Sequence, residues 1–205
     1  RTRGPSLGND EFIELYNPTT GPIDISGWGI WGSNSSGSIS ERATIPAIAP
    51  IQPGQYYLIA NSGAYSGSVS PDLTYSTGIT DNGGIALIDP ASPSNPIDQV
   101  GMSSGSAYQE GTTLSPLTTN VDRSYERKAG GNVGSCSDTN DNAADFQERN
   151  PSNSQNVFSP TTTCGYLPLS IIINEVAWMG TLSSSEDELI DPYNPGSEAI
   201  PLDNW

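Results

Sequence analysis

One block of about twenty residues occurs twice in this 205-residue chain, and this repeat limits how the chain can be divided into domains. Residues 9–28 (NDEFIELYNPTTGPIDISGW) align without a gap to residues 186–205 (EDELIDPYNPGSEAIPLDNW) at an offset of 177 residues. Chance would give about one or two identities in such a stretch. Eight aligned positions are identical, namely Asp10/Asp187, Glu11/Glu188, Ile13/Ile190, Tyr16/Tyr193, Asn17/Asn194, Pro18/Pro195, Ile23/Ile200 and Trp28/Trp205. The sequence therefore predicts one period of a tandem repeat followed by the opening of the next copy.

Short apolar runs separated by turn-forming residues indicate an all-β chain. Gly (22) and Pro (17) are abundant and only 34% of the residues are hydrophobic, a composition that also occurs in disordered chains. The 4 Trp, 9 Tyr and 3 Phe, interleaved with Ile, Leu and Val, favour an antiparallel sandwich instead. Strands are predicted at residues 11–17, 23–31, 43–48, 56–60, 85–89, 97–101 and 123–128, with a long polar connection at 61–81 and a helical turn at 143–146.

The strongest strand signal precedes the second copy of the block. Its counterpart in the first copy would lie before Arg1, so we expect the first domain to lack its first strand. A sandwich without that strand exposes unpaired backbone groups and an apolar groove. The candidate residues for strand donation and assembly are therefore Ile171, Ile172, Ile173, Asn174, Glu175, Val176, Ala177 and Trp178.

Charge and residue usage exclude several classes of function. The chain has 23 acidic and 7 basic residues, a formal net charge of −16 and no His. Without His, no Ser-His-Asp or Cys-His nucleophile system and no His-based zinc site can form within it. Such an acidic chain repels nucleic acid, and no apolar stretch reaches the 18 residues of a membrane span. We therefore expect no nucleic-acid partner and no membrane insertion.

The order of motifs resembles a known family. The chain has, in the family's order, Ile173–Trp178 (INEVAW) as a first-strand signature, Asp10–Pro18 (DEFIELYNP), Gly27-Trp28, Thr44-Ile45-Pro46, Pro53-Gly54, Gly84–Asp89, Asp98, Arg127-Lys128 and Asp138–Phe146. This series resembles the bacterial lamin tail domain family over residues 1 to about 158, and again over 171–205. One departure is Asp191-Pro192, which stands where the first copy has Glu14-Leu15, and a proline demotes a strand to an edge or a bulge.

The resemblance implies an Ig-like antiparallel β-sandwich of the lamin-tail type with a C-terminal extension. We expect the sandwich at 1–158, without its first strand, a Ser/Thr/Pro linker at 159–170, and the first strands of a second copy at 171–205. Residues 171–178 would begin a separate domain, fold back onto their own chain, or fill the gap of a neighbouring chain. The repeated positions predicted to lie in the core are Ile13, Tyr16, Pro18, Ile23 and Trp28.

The resemblance also bears on function, because the family is not catalytic. In nuclear lamins the domain is a binding surface, and similar bacterial domains are attached to secreted hydrolases and nucleases or repeated in surface proteins. We expect a non-enzymatic extracellular or cell-surface structural protein, a surface or filament building block whose partners are other copies of itself. The alternative is a ligand-binding accessory module of a secreted hydrolase or nuclease, with its ligand at loops 33–40, 61–81 and 103–119.

The sequence leaves one cysteine pairing and one metal site open. Cys136 and Cys164 are predicted to form a disulfide, with two unpaired thiols as the alternative. No cofactor is expected, although Asp138, Asn140 and Asn142 have the alternating oxygen ligands of a calcium loop. An Asx-rich turn that caps a helical turn is the competing interpretation, and we favour it because the EF-hand pattern fails.

Other charged and aromatic clusters have simpler explanations. We interpret Asp10, Glu11 and Glu14 as a solvated strand end rather than a pair for acid–base chemistry. The basic cluster Arg123, Arg127 and Lys128 is expected to pair with nearby acids. Trp31 is the better candidate for an exposed stacking platform, since Trp28 and Trp205 share a repeat position.

Overall fold

The computed structural model describes residues 1–129, 134–164, 172–177 and 189–194. They belong to two compact units, Arg1–Cys164 and Gly165–Trp205. The elements of the first unit are β1 (Phe12–Tyr16), β2 (Gly29–Ser33), β3 (Ile39–Thr44), β4 (Tyr56–Asn61), β5 (Leu73–Tyr75), β6 (Gly84–Ile88), β7 (Asp98–Gly101), β8 (Ser124–Arg127), α1 (Asn142–Asp145) and β9 (Phe146–Arg149). Those of the second unit are β10 (Ile172–Ala177) and β11 (Leu189–Tyr193).

The first unit is a sandwich of two sheets. One sheet has four antiparallel strands in the order β3-β2-β6-β7. The other has the order β1-β4-β5, in which β1 is antiparallel and β5 is parallel to β4. Strands β8 and β9 form a separate antiparallel pair. The predicted all-β sandwich is confirmed, and its helical content among the described residues is the single turn α1.

Alternate residues of the strands build the core between the sheets, as the two-residue period of a strand requires. Ile13 lies opposite Ile59 and Leu15 lies opposite Tyr57 in the β1–β4 ladder, and all four pack in one cluster. Ile30 of the facing sheet is fully buried in that cluster. The sandwich therefore depends on β1 for part of one core wall.

The outer face of the three-stranded sheet is covered by irregular chain. Phe12, Leu58 and Ala60 form a small buried cluster there, and Tyr65 and Val69 from the following loop pack against it. Further along, the segment after β9 crosses the same sheet. The hydroxyl of Tyr16 donates to the carbonyl of Thr162 over 2.6 Å, which holds the segment at the end of β1.

A disulfide fixes this final segment. Cys136 and Cys164 are bonded, with Cα atoms 5.6 Å apart and 28 positions apart in sequence. The Tyr16 hydroxyl lies 3.5 Å from the Cys164 sulfur. The bond thus joins the loop before α1 to the end of the first unit, beside β1.

The strand predicted at residues 23–31 is mostly wrong, because only its last three residues belong to β2. Residues 23–28 form a connection that is held to the neighbouring turn by reciprocal backbone bonds between Ile23 and Ile51. Gly27 has a φ of +80°, a left-handed conformation outside the β region, which interrupts any strand here. Within this stretch, Ile25 lies in the core and the partly buried Trp28 packs against it.

Two short strands gave no usable sequence signal. Strand β5 lies inside the predicted polar connection 61–81 and is only three residues long. Strand β9 follows α1 directly and has three polar residues out of four. The helical turn was predicted at 143–146 and lies at Asn142–Asp145, where Asp141 caps it by accepting from the Ala144 N–H. Strand β3 begins earlier than predicted, because its first residues pair with β2 beyond a bulge.

The second unit is described as one antiparallel strand pair. Its register joins Ile172 to Tyr193, Val176 to Ile190 and Ala177 to Leu189. A bulge between Ile173 and Glu175 shifts the register by one residue.

Removing the disulfide tests how much the final segment contributes to stability. We expect the double substitution Cys136→Ser and Cys164→Ser to lower the free energy of unfolding by about 3–4 kcal/mol, because a 28-residue loop is no longer closed in the unfolded chain. Urea denaturation followed by Trp fluorescence measures this. Wild-type chain treated with a thiol reductant is the control and should match the variant. An unchanged midpoint would contradict the prediction.

Candidate functional site: an open groove beside strand β1

Strand β1 is the outermost strand of its sheet, and its backbone alternates between two partners. The Asn61 N–H donates to Glu11 and the Asn17 N–H donates to Gln55, so the odd-numbered residues around β1 bond toward β4. Phe12 points the other way and exchanges two bonds with Arg1, at 2.9 and 3.0 Å. Because peptide groups alternate along an antiparallel strand, the polar backbone groups of Glu14 also face this outer edge. Those of Tyr16 do the same.

Arg1 occupies the first position along that edge and is held there by its side chain. Its guanidinium pairs with Asp10 and Asp122 and lies 5.0 Å from the centre of the Phe12 ring. The guanidinium also donates to the Ser152 hydroxyl at 3.3 Å. Arg1 therefore has a fixed place beside Phe12. The outer edge of β1 continues for four more residues after Phe12.

A groove of about 430 Å³ adjoins this edge. The apolar side chains that line it come from both sheets, from the 114–117 loop and from β9; they include Ile13, Leu15, Leu87, Val100, Leu114, Leu117 and Phe146. Ile13, Leu15 and Leu87 pack on the central core but remain partly exposed. The sandwich core is thus incompletely covered at the edge where β1 has no further strand partner among the described residues.

Glu14 is the acidic residue of β1 in this groove. Its carboxylate accepts from the backbone N–H of Gln155. Burial and, to a smaller extent, the nearby charge of Glu126 on β8 together raise the pKa of Glu14 to about 8, although the hydrogen bond from Gln155 lowers it. Glu14 is therefore mostly protonated at neutral pH, so the groove carries less negative charge than its sequence suggests.

The interpretation of Asp10 and Glu11 as a solvated strand end is wrong, because both are almost completely buried. Glu11 accepts from the Ile79 N–H at 2.9 Å and from the Asn61 amide and the Tyr75 hydroxyl at 3.1 Å each. Three donors from separate segments thus converge on this one carboxylate. It joins β1 to β4, β5 and the loop after β5.

Asp10 holds the turn before β1 in the same way. Its carboxylate accepts from the backbone N–H groups of Ser6 and Ser66 and pairs with Arg1. The acidic pair is therefore structural: Asp10 fixes the loop that leads into β1, and Glu11 fixes the sheet.

Four of the five repeated positions predicted in the core are partly buried: Ile13, Tyr16, Ile23 and Trp28. Pro18 is exposed, so its assignment to the core is wrong. The buried residue of this motif is Asn17, whose amide donates to the carbonyls of Gly21 and Ile51. The motif is therefore a turn that hydrogen bonds from the Asn17 side chain hold together, with Pro18 at the surface.

The second unit repeats β1 together with a partner strand. Strand β11 occupies the positions of β1 plus 177, residue for residue, and β10 pairs with it along its whole length. In that register Ala177 is opposite Leu189, the counterpart of Phe12. Arg1 therefore stands beside β1 where Ala177 stands beside β11. Of the candidate donor residues, Ile171 and Trp178 lie outside the described residues.

Comparison with known families identifies the sandwich. The model of the Lamin Tail Domain family matches residues 2–104, half of the chain. The chain belongs to the lamin tail domain family. The match contains both sheets of the sandwich, β1 to β7, and ends before β8. No curated protein and no solved structure gave a significant match.

Of the candidate calcium residues of this lamin tail domain, Asp138 and Asn140 are exposed, whereas Asn142 is used by the fold. Asn142 is fully buried, and its side-chain oxygen accepts from the N–H groups of Gly101 and Glu110. Over the ranges that the structure describes, no group of three His, Cys, Asp or Glu side chains is arranged to hold a metal ion. Asp145 is also buried, and its carboxylate accepts hydrogen bonds from the backbone N–H and the hydroxyl of Thr139. These contacts support the Asx-rich turn.

Two of the three residues in the basic cluster of the domain, Arg123 and Arg127, pair with local acids as predicted. Arg127 lies 2.5 Å from Asp98, and Arg123 lies 3.2 Å from Glu148. Lys128 donates to the Ala144 carbonyl. Trp31 is half-buried against the cluster that contains Tyr108, so it is no exposed platform. None of the helices in the described part of the chain is long and apolar enough to cross a membrane.

Glu14 predicts a pH dependence of stability. Because its pKa is raised from 4.5 to about 8 on folding, its contribution is fully present below pH 4.5 and is lost as the pH rises through 8. We expect Glu14 to lower the free energy of unfolding over this range by at most about 1.4 kcal/mol per pH unit, beside the contributions of Glu110 and the Arg1 amino group, which titrate there too. Glu14→Gln should remove the Glu14 part of the slope in urea denaturation, whereas Glu41→Gln, which removes an exposed charge on β3, should leave the wild-type slope unchanged. Equal slopes in both variants would count against the assignment.

Glu11 predicts a large loss of stability on truncation. Glu11→Ala leaves the Ile79 N–H, the Asn61 amide and the Tyr75 hydroxyl without their acceptor in a buried site. We expect unfolding to become easier by about 3 kcal/mol or more. Glu11→Gln retains one acceptor oxygen and should lose less. Thermal and urea denaturation measure both variants, and a loss below about 0.5 kcal/mol for Glu11→Ala would refute the role.

Proposed function

We propose that this protein is a non-catalytic structural module of the cell surface or extracellular space, which assembles with other copies of itself into arrays of lamin tail domains. The observation that carries the proposal is the repeated strand: the block that forms β1 occurs again in the second unit, where it forms β11 and pairs with β10. Repeated units of one fold are suited to assembly in a line.

The chemistry of the described residues supports a structural role. The most buried acids, Asp10, Glu11 and Asp145, all accept several hydrogen bonds from the fold. The chain has no His, which removes the commonest general base. The family to which it belongs is generally non-catalytic. Aliphatic side chains from both sheets line part of the groove beside β1.

Two further features support an extracellular setting. The Cys136–Cys164 disulfide is a bond that persists in oxidising compartments. The net charge of −16 keeps separate modules soluble and makes their association dependent on salt.

The assembly state of the purified full chain tests this proposal. We expect light scattering after size exclusion, and negative-stain microscopy, to show linear oligomers that lengthen with protein concentration. Because the chains repel each other, the oligomers should grow when the ionic strength rises from about 0.02 to 0.15 M. A chain that stays monomeric at all concentrations and salt levels would overturn the proposal. Saturable binding of such a monomer to a polysaccharide would favour the accessory-module function instead.

A further inference from the structure

We propose that residues 158–164 form a redox-operated strap, which the Cys136–Cys164 disulfide holds on the outer face of the three-stranded sheet. Reduction of the disulfide frees the strap while the sandwich stays folded. This inference goes beyond the proposed function, because it does not depend on how copies of the chain assemble.

The closed strap lies in a fitted seat at the end of β1 and the start of β4. The Thr162 N–H donates to the Gly54 carbonyl at 2.9 Å, and the Tyr16 hydroxyl donates to the Thr162 carbonyl at 2.6 Å. A Cβ on Gly54 would come within 2.8 Å of the backbone of Thr162, so a residue with a side chain could not lie this close. The strap therefore touches the sandwich at one well-defined point before it reaches Cys164.

Little else holds the strap on the sandwich. None of the three apolar clusters of the described sandwich contains a residue of the strap, whereas Val157, directly before it, packs against the central core. Phe158, the first residue of the strap, is 90% exposed. Without the disulfide, the two hydrogen bonds at Thr162 would have to order the whole strap. Water can replace both bonds, and the backbone entropy of the strap favours release.

A buried hydroxyl on the same face of the sheet also favours opening. Tyr56 lies opposite Tyr16 in the β1–β4 ladder, and their rings are 5.0 Å apart. Tyr56 is 1% exposed, and its hydroxyl has no hydrogen-bond partner among the described residues. A buried hydroxyl without a partner destabilises the closed form. Release of the strap lets water reach this face, which offsets part of the contacts that opening removes.

The chemical step is a thiol–disulfide exchange. Closing forms the bond between the sulfurs of Cys136 and Cys164, and their two protons and two electrons pass to a disulfide oxidant, which becomes a dithiol. Opening is the reverse, with a dithiol as the reductant. Both cysteines are partly exposed in the closed form, as attack by a thiolate requires. A chain made in a reducing compartment thus has an open strap, which closes in an oxidising one.

The strap is also the connection to the second unit, which begins at Gly165. In the closed form the connection is fixed as far as Cys164. In the open form the last fixed residue is Ser159, whose N–H donates to the Asn156 carbonyl and whose hydroxyl accepts from the Asn156 N–H. Opening therefore frees residues 160–164, which span at most about 18 Å when fully extended. The redox state thereby sets the length of free chain before the second unit.

Backbone order measured by NMR relaxation tests the strap, because it reports on the folded chain. The full chain is compared in its oxidised form, after reduction by a dithiol, and as the double substitution Cys136→Ser and Cys164→Ser. We expect order parameters of about 0.85 for Thr162 and Thr163 in the oxidised chain and below about 0.6 in the two open forms. The order parameters of β4 should stay at about 0.85 in all three samples.

Two results would sink the inference. If Thr162 and Thr163 stay ordered in both open forms, hydrogen bonds hold the strap without the disulfide. If β4 loses its order together with the strap, the disulfide holds the sandwich as a whole and is no switch.

Tyr16→Phe is the matched control that separates the disulfide from the hydrogen bond. It removes the donor to the Thr162 carbonyl and keeps the aromatic ring and the disulfide. We expect Thr162 and Thr163 to keep order parameters of about 0.85 in the oxidised variant and to fall below about 0.6 after reduction, as in the wild type. Loss of order in the oxidised variant would show that the Tyr16 hydroxyl holds the strap, against the inference.

Discussion

The backbone hydrogen bonds along strand β1 are the constraint on which the rest of this structure depends. On one side, β1 bonds to β4 and closes the core of the sandwich. On the other side, the backbone of Phe12 bonds to Arg1. The rest of this edge borders an apolar groove. Sheet edges of this kind promote pairing with another chain unless a protein blocks them.

Buried carboxylates hold this edge in position. Glu11 precedes β1 and collects donors from three segments, and Asp10 joins the preceding turn to Arg1. A buried carboxylate destabilises the fold if its hydrogen-bond donors are missing. It stabilises the fold when those donors are all present. Because these two residues occur again at 187 and 188, the second copy of the block has the acids needed for the same arrangement.

The strands that the sequence predicted well are those with an apolar alternation or a continuous apolar run. The alternating stretch FIELY became β1, and the run YYLIA became β4, which is buried on both faces. Tyr57 and Ile59 of β4 pack in the central core, and Leu58 and Ala60 pack in the outer cluster. Residues 23–28 show the same alternation, but a left-handed glycine turns them into a connection. Composition alone could not reveal β5, because its stability comes from parallel pairing with β4, which is a tertiary contact.

The burial of Asp10 and Glu11 was missed for a similar reason. Two adjacent acids before a strand are usually solvated, and their donors come from residues as distant as Ile79. The repeat was the available signal, since both acids are identical in the two copies of the block.

The position of Arg1 has a practical consequence for anyone who handles this protein. Its backbone already runs antiparallel to β1, so residues attached before it would continue along the edge and enter the groove. An affinity tag fused directly before Arg1 would therefore lie beside the apolar groove, whatever its sequence was chosen for.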